Sequence, residues 1–245
     1  MPFNKWPAYA LAPLILAAAA CTHVPAPVAA PPAAASIAGP PAVRPAGAVD
    51  YRIDAMHSTV RVLVYRSGTL ASIGHNHVIL DQALSGWVRA GKTPQECSFY
   101  LQLAVADFIV DPPQARAEEG ADFSEAVEEP ARVGTQRNML GAALLDGERY
   151  PTIQIESLSV QGSGSGPAMT ASLRITLAGR TTIISAPFKL DLQPESLHVT
   201  ADLWLPQTTL GLTPFSALLG GLQVANEMHL KLDLQATSAQ PAGLD

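Results

Sequence analysis

Alternation between apolar and polar residues is the feature of this sequence that most constrains its fold. It is clearest near the C-terminus, where apolar Met228, Leu230, Leu232 and Leu234 alternate with polar His229, Lys231, Asp233 and Gln235. Side chains of a β-strand point alternately to its two faces, so this run predicts a strand with one apolar and one polar face. The same period places Val60, Val62 and Val64 opposite Arg61, Leu63 and Tyr65, and Phe99, Leu101, Leu103 and Val105 opposite Ser98, Tyr100, Gln102 and Ala104.

Eight runs of this kind follow one another from residue 51 onward. They lie near residues 60–65, 77–89, 98–105, 152–160, 168–178, 181–192, 196–206 and 228–235. Turn-forming residues separate most of them, and short connections favour antiparallel neighbours. The pattern therefore predicts an all-β domain of eight antiparallel strands, which can be either two packed sheets or a closed barrel.

One long interruption separates the third and fourth runs. Residues 108–151 are rich in Ala, Glu and Arg and begin near Pro112 and Pro113, which predicts a largely helical insertion. Within its second half we expect Thr135 to cap a helix and Gly147 to end it. The apolar stripe of that helix would be Met139, Leu140, Ala143 and Leu144.

The first twenty residues have the layout of a signal peptide, with Lys5 followed by an apolar run over residues 8–20. That run is shorter than the ~20 residues a transmembrane helix needs. Residues 16–21 (LAAAAC) resemble a lipobox, in which cleavage precedes a cysteine that carries a diacylglycerol. We therefore expect a lipoprotein acylated at Cys21 and anchored on the periplasmic side of a bacterial envelope. Thr22, the residue after the expected lipidated cysteine, favours the outer membrane over the inner. The alternative to lipidation is ordinary signal-peptide cleavage near Ala20, with Cys21 as an incidental thiol.

The remaining chain divides by composition. Residues 21–49 are dominated by Ala and Pro and predict an extended linker, which at ~3.1 Å per residue could reach roughly 90 Å. We expect a folded domain over residues 50–237 and a short disordered tail over residues 238–245. Since the only other cysteine is Cys97, no disulfide within the chain is expected once Cys21 is acylated.

Charge and aromatic content exclude two classes of function. The formal net charge is -6 and basic residues do not cluster, so nucleic acid is not an expected partner. A barrel that spans a membrane needs aromatic girdles at both interfaces, and aromatic residues make up only 6% of this chain. The expected barrel or sandwich therefore has its apolar face turned inward.

Four segments follow one another along the chain: residues 51–60 (YRIDAMHSTV), 139–145 followed by 149–153 (RYPTI), 173–181 (LRITLAGRT), and 210–212 through 221–222 to the final strand. Together and in this order, they resemble the YceI-like family of lipid-binding proteins. The resemblance covers about residues 51–236. After Gly74, where the family usually has an aromatic residue, this chain has His75, Asn76 and His77.

The resemblance implies a lipocalin-like, eight-stranded antiparallel barrel whose channel binds a polyisoprenoid lipid, such as the tail of a quinone. A small barrel leaves room only for a thin ligand, and an apolar wall offers little to a polar one. The expected function is therefore to bind or carry such a lipid, without enzymatic activity and with no cofactor beyond the bound lipid. The candidate ligand-binding residues are Val60, Val62, Val64, Leu210, Phe215, Leu230, Leu232 and Leu234.

A metal-binding envelope protein is the alternative hypothesis. His75 and His77 are two residues apart, so in a strand both rings leave from one face and could chelate one ion. His57, with Asp54, could complete the site if the first two strands pair. Catalysis is less favoured, because His57 and Ser58 are adjacent and a strand would direct them to opposite faces.

The connection over residues 206–225 contains six large apolar residues and almost no charge. An apolar loop of this length is seldom simply solvated. It either plugs one end of the domain as core or forms the mouth of a ligand site.

Overall fold

The computed structural model of the protein describes residues 39–162 and 167–239. The expected signal peptide, Cys21, the first part of the expected linker and the end of the expected tail lie outside the described residues. Among the residues that are described, no helix is both long and apolar enough to cross a bilayer.

Twelve β-strands occur in the described ranges. They are β1 (Val49–Ile53), β2 (Thr59–Ser67), β3 (His77–Asp81), β4 (Ser85–Ala90), β5 (Ser98–Ala104), β6 (Ile109–Val110), β7 (Thr152–Gly162), β8 (Ala168–Leu177), β9 (Arg180–Leu192), β10 (Ser196–Pro206), β11 (Ser216–Ala217) and β12 (Leu222–Ser238). The α-helices are α1 (Pro113–Glu118) and α2 (Glu129–Leu140). Short 3₁₀ turns lie at Ala55–His57, Ala71–Ile73, Pro94–Glu96, Val105–Asp107, Ala121–Phe123, Gln207–Leu210 and Leu218–Gly220.

Eight of these strands close a barrel. Their order is β1-β4-β5-β7-β8-β9-β10-β12, and β12 pairs back with β1, where Tyr51 lies opposite Ser238. Every pair in the ring is antiparallel. Closure leaves no free sheet edge in the ring, and the expected eight-stranded antiparallel barrel is confirmed.

Three further strands, β2, β3 and β6, extend the same sheet from β12 beyond the ring of eight. β12 pairs with β1 at one end and with β2 over most of its length, and β2 pairs with β3, which pairs with β6. The run expected near residues 77–89 is therefore two strands, β3 and β4. The break follows Asp81, whose Oδ1 accepts a hydrogen bond from the Ala83 amide, a local bond that replaces the strand ladder.

The inward faces follow the alternation read from the sequence. Leu101, Leu103 and Val105 on or next to β5, and Met228 and Leu234 on β12, are buried in one core cluster. Each such side chain stabilises the fold by about 1.5–3 kcal/mol relative to an exposed position. Packing of the inward faces is therefore what holds the barrel.

The insertion between β5 and β7 packs in two places. Residues of α1 and of the following turn cover the outer face of β2 and β3, in a cluster formed by Leu63, Val78, Leu80, Ala115 and Phe123. This cover explains why Leu63, an outward-facing residue, is only 2% exposed. The second helix, α2, lies against β6, and the Gln136 amide donates to the Phe108 carbonyl oxygen at 2.9 Å.

The expected bounds of α2 were wrong at both ends. The helix begins at Glu129, with Pro130 in its first turn, and Thr135 lies in its interior. Proline suits a first turn because the amides there have no partner within the helix. At the other end Gly141 is the C-cap, six residues before Gly147. The Gly147 amide instead bonds back to the Leu140 carbonyl oxygen at 2.9 Å.

Candidate ligand cavity

A cavity of about 910 Å³ runs inside the barrel. Its wall is made by the inward residues of β2, β3, β4, β5, β7, β8, β9, β10 and β12, and most of these are Val, Leu, Ile, Phe, Met or Ala. The volume lies within the ~300–1,000 Å³ typical of sites for small ligands. The wall can therefore exclude water from an apolar guest but offers it few hydrogen bonds.

All eight candidate ligand-binding residues lie on the wall of this cavity. They are Val60, Val62, Val64, Leu210, Phe215, Leu230, Leu232 and Leu234. Val62 pairs with Leu230 and Val60 with Leu232 across β2 and β12, so these four side chains form one continuous apolar patch. Contact between these residues and a ligand stays a prediction.

One end of the barrel is packed around Arg89. Its guanidinium donates to both carboxylate oxygens of Asp50, at 2.7 and 3.1 Å, and to the carbonyl oxygens of Pro41 and Val43. The hydrogen bond from Arg89 holds the pKa of the Asp50 carboxyl below its usual value. Next to this pair, Tyr51 is buried and its hydroxyl donates to the Gln193 carbonyl oxygen at 2.9 Å.

The other end of the cavity is polar. His77 is the first residue of β3, it pairs with Val64, and its ring lines the cavity. His77 Nδ1 lies 2.6 Å from Asp111 Oδ2, and His77 Nε2 lies 3.4 Å from the Thr135 hydroxyl. Thr135 and Asn138 reach the same part of the cavity from α2.

Asp111 is the buried centre of this polar group and has no exposed side-chain surface. Its Oδ1 accepts from the Val78 amide at 2.8 Å and from Arg116 Nη1 at 2.6 Å. Burial raises the pKa of the Asp111 carboxyl, but the hydrogen bonds from His77, Val78 and Arg116 outweigh burial, so the pKa lies below its usual value. An ionised Asp111 accepts only, which assigns the proton at the contact to His77 Nδ1.

The structure does not bring the three histidines of the metal hypothesis together. The ring centroids of His75 and His77 are 6.3 Å apart, but His75 precedes β3 instead of sharing a strand face with His77. His57 bonds to Asp54 at 2.7 Å and lies seven residues before Val64, the partner of His77, a separation on the order of 20 Å along the strand. Within the described ranges, no three His, Cys, Asp or Glu residues are grouped so as to hold a metal ion.

The sequence interpretation missed Asp111, Arg116, Asp50 and Arg89. Asp111 and Arg116 are buried although they belong to the charged insertion. The left-handed backbone of Asp111, with φ of 52°, is compatible with Asp but has no signature in a single sequence. The one available signal was the alternation of Val49, Tyr51 and Ile53 with Asp50 and Arg52, which predicts β1 and places Asp50 on a strand.

The connection after β10 was expected either to plug one end of the domain as core or to form the mouth of a ligand site, and different parts of it do each. Leu210 is buried and lines the cavity together with Leu212, so this part belongs to the core. Phe215 lines the cavity and is also 41% exposed, whereas Leu218 and Leu219 beyond it are exposed. The segment therefore contributes both to the wall and to the rim of the opening.

These features define a class: an eight-stranded β-barrel protein with an apolar cavity, packed at one end and polar at the other. Among solved structures, BcnA of Burkholderia cenocepacia matches with a TM-score of 0.54 and 16% identity, over 76% of this chain and 99% of that chain. This likeness shows a shared barrel fold.

Two further solved structures are similar at lower scores. A polyisoprenoid-binding domain from Saccharophagus degradans matches with a TM-score of 0.49 and 13% identity, over 78% of this chain and 99% of that chain. The YceI protein of Campylobacter jejuni matches with a TM-score of 0.46 and 8% identity, over 64% of this chain and 82% of that chain. No protein-family model and no curated protein sequence matches this chain.

Proposed function

We propose that this protein is a member of the YceI-like family that binds and carries a long-chain polyisoprenoid lipid in its barrel, without catalysing a reaction. The observation that carries the proposal is the cavity itself, an apolar space of about 910 Å³ enclosed by the barrel strands. A bound chain gains ~0.8 kcal/mol for each methylene that leaves water. The sequence resemblance supports the same assignment, and the fold shared with BcnA supports the barrel that this assignment requires.

The polar end of the cavity favours a quinone-type head group on that lipid. His77 Nε2 and the Thr135 hydroxyl lie at 3.4 Å, a long contact that leaves the hydroxyl able to donate to a quinone carbonyl oxygen. Because His77 Nδ1 holds the proton, His77 Nε2 is an acceptor and can bond to the hydroxyl of the reduced quinol. His75 Nδ1 is buried and belongs to the same lining; it has no hydrogen-bond partner in the described part of the chain, and Glu125 Oε1 lies 3.8 Å from it. These groups therefore lie together at one end of the cavity, where a head group would stop, with the tail in the apolar barrel.

The test of this function is solvent extraction of the purified protein followed by mass spectrometry, together with titration of a polyprenyl quinone into extracted protein. We expect a polyprenyl lipid in the extract and saturable binding of one quinone per chain. An extract free of lipid, combined with no saturable binding, would show that the cavity does not hold a lipid.

A second arm of the titration tests the head group. The wild type is expected to bind the reduced polyprenyl quinol up to about tenfold more tightly than a polyprenyl hydrocarbon of equal length, which is the contribution of one hydrogen bond, from the quinol hydroxyl to His77 Nε2. His77→Leu should remove that preference and retain hydrocarbon binding. The control is His57→Leu, because His57 also bonds to an aspartate, at 2.7 Å, but does not line the cavity. Equal affinity for both ligands in the wild type would refute the head-group assignment alone.

We further propose that Cys21 carries the acyl anchor and holds the barrel on the periplasmic side, at the outer membrane in preference to the inner. The support is the apolar run that ends at Cys21 and the Ala/Pro-rich segment after it. Intact-mass analysis of the mature protein should give a chain that begins at Cys21 and carries a diacylglycerol. A chain that begins elsewhere, or Cys21 without lipid, would show that the protein has no acyl anchor at this residue.

A further inference from the structure

Two loops meet beside the polar end of the cavity. One joins β2 to β3 and contains Leu70 and Ile73; the other joins β10 to β12 and contains Phe215, Leu218 and Leu219. The Leu70 amide donates to the Gly221 carbonyl oxygen at 2.7 Å. At Gly68, with φ of +91°, a Cβ atom would lie 2.4 Å from that same oxygen, so the contact requires glycine.

The side chains at this junction are apolar and exposed. We call them the apolar rim: Leu70 (40% exposed), Ile73 (63%), Phe215 (41%), Leu218 (59%) and Leu219 (109%). Single exposed apolar residues are ordinary, but five on two touching loops form a patch of the kind that marks an interaction site.

The backbone holds the outermost two leucines in place at a conformational cost. Leu218 and Leu219 have φ of 52° and 54°, in the left-handed region that residues other than Gly, Asn and Asp seldom adopt. Pairing of Ser216 with Gln223 and of Ala217 with Leu222 fixes the hairpin on both sides of them. The fold therefore holds two leucines in an unfavourable backbone conformation in which their side chains are exposed to solvent.

The chemistry of both loops fits a hydrocarbon layer. No Asp, Glu, Lys or Arg occurs over residues 67–80 or over residues 203–226. The inserted loops would therefore carry no charged side chain of their own into hydrocarbon, and desolvation of charge is the main cost of such insertion. Arg66, at the base of the β2–β3 loop, is paired within the protein: it donates to the Gly74 carbonyl oxygen at 2.6 Å and to Glu125 at 3.3 Å. Protein–protein interfaces, in contrast, surround their apolar centre with a polar border.

The rim is continuous with the cavity wall. Ile73 and Phe215 belong to both, and Gly74 and Leu222, in or next to the same two loops, also lie on the wall. Leu222 Cδ1 lies 2.7 Å from the position that a Cβ atom of Gly74 would occupy, so the two loops are in close contact there.

We propose that the apolar rim inserts into the hydrocarbon region of a lipid bilayer and docks the open end of the barrel on it. The cavity then faces the bilayer, and an apolar lipid passes between the two without crossing water. The docking surface is distinct from an acyl chain at Cys21. The role of this docking in lipid transfer rests on the proposed function, but insertion of the rim can be measured without any ligand in the cavity.

The test is a tryptophan reporter at the rim of the full chain, Leu219→Trp, mixed with phosphatidylcholine vesicles whose acyl chains carry bromine. Bromine quenches tryptophan that lies in the hydrocarbon region, so we expect loss of the additional fluorescence that Leu219→Trp contributes over the parent protein. The control is Leu192→Trp, a 43% exposed leucine at the end of β9, at the barrel end away from the rim. The additional fluorescence of Leu192→Trp should not be quenched. We expect this result whether or not the N-terminal segment also binds the vesicle.

A second variant tests affinity. Leu218→Asp combined with Leu219→Asp should weaken vesicle binding relative to Leu192→Asp by about tenfold or more, since two apolar contacts are replaced by charges. Aspartate tolerates the left-handed region better than leucine, so the hairpin is expected to keep its fold. Binding of the parent should change little between about 0.1 and 1 M salt, because the inserted residues carry no charge.

The outcomes separate the two proposals. If brominated vesicles do not quench the tryptophan at residue 219, membrane docking is overturned. If the protein self-associates and the double Asp variant does not, the rim binds a second copy of the chain. If the double variant still binds a polyprenyl quinone delivered in detergent, the cavity function stands by itself. If the reporter is quenched but no lipid binds in the cavity, docking stands and the proposed function fails.

Discussion

Replacing Asp111 with asparagine is expected to lower the free energy of unfolding by about 3–5 kcal/mol, the usual cost of removing one partner of a buried ion pair. The substitution keeps the size of the side chain and its tolerance of a positive φ, so the loss is electrostatic. It leaves the Arg116 guanidinium buried, with its remaining hydrogen bonds to the carbonyl oxygens of Asn76 and Glu125. Chemical denaturation of both proteins at neutral pH measures the difference.

The control is Asp233→Asn. Asp233 also bonds to a histidine, His198, at 2.9 Å, but both side chains are about half exposed. An exposed pair contributes little, so this variant should unfold close to the wild type. If Asp111→Asn lowers the free energy of unfolding no more than Asp233→Asn does, then Asp111 does not act as a buried charge.

The same variant should alter the dependence of stability on pH. Because the pKa of Asp111 in the folded protein lies below its ordinary value of 3.8, its ionised form stabilises the fold. That contribution is fully present above the pKa of the unfolded chain and is lost as the pH falls through the folded pKa. The difference between wild type and Asp111→Asn should therefore be largest near neutral pH and should shrink below about pH 4.

The fold could be predicted from sequence where strands are long and one face is buried. The run expected at residues 196–206 coincides with β10, and the alternation along β12 gave the correct inward face. A slip of one residue in such a strand would turn every leucine outward, so the pattern fixes both the strand and its face. The choice of a barrel over two packed sheets came from the family resemblance, because alternation is the same in both.

The polar end of the site could not be predicted because its partners are distant in sequence. Asp111 meets His77 across 34 residues and Arg89 meets Asp50 across 39. A charge in an insertion is most often solvated, and only the packing of α1 against β2 and β3 buries Arg116. The resemblance to the family did not help at this point either, since the His75-Asn76-His77 segment is where this chain departs from the family pattern.

A tryptophan in place of Ala201 is expected to reduce the affinity for a polyprenyl quinone by about 100-fold. Ala201 lies at the middle of β10, pairs with Leu232, and faces the cavity. An indole there takes the space of several methylenes of the lipid tail, each of which contributes ~0.8 kcal/mol, and about 2.7 kcal/mol corresponds to 100-fold. Because the indole enters an existing space, the free energy of unfolding should not fall.

The matched control is Thr200→Trp, the same substitution one residue earlier on β10. Side chains of neighbouring strand residues point to opposite faces, and Thr200 pairs with Asp233 and Lys189 on the outside of the barrel. This variant should bind the quinone as the wild type does, which isothermal titration of both variants can establish. Wild-type affinity in a folded Ala201→Trp protein would show that the lipid tail does not occupy the cavity next to residue 201.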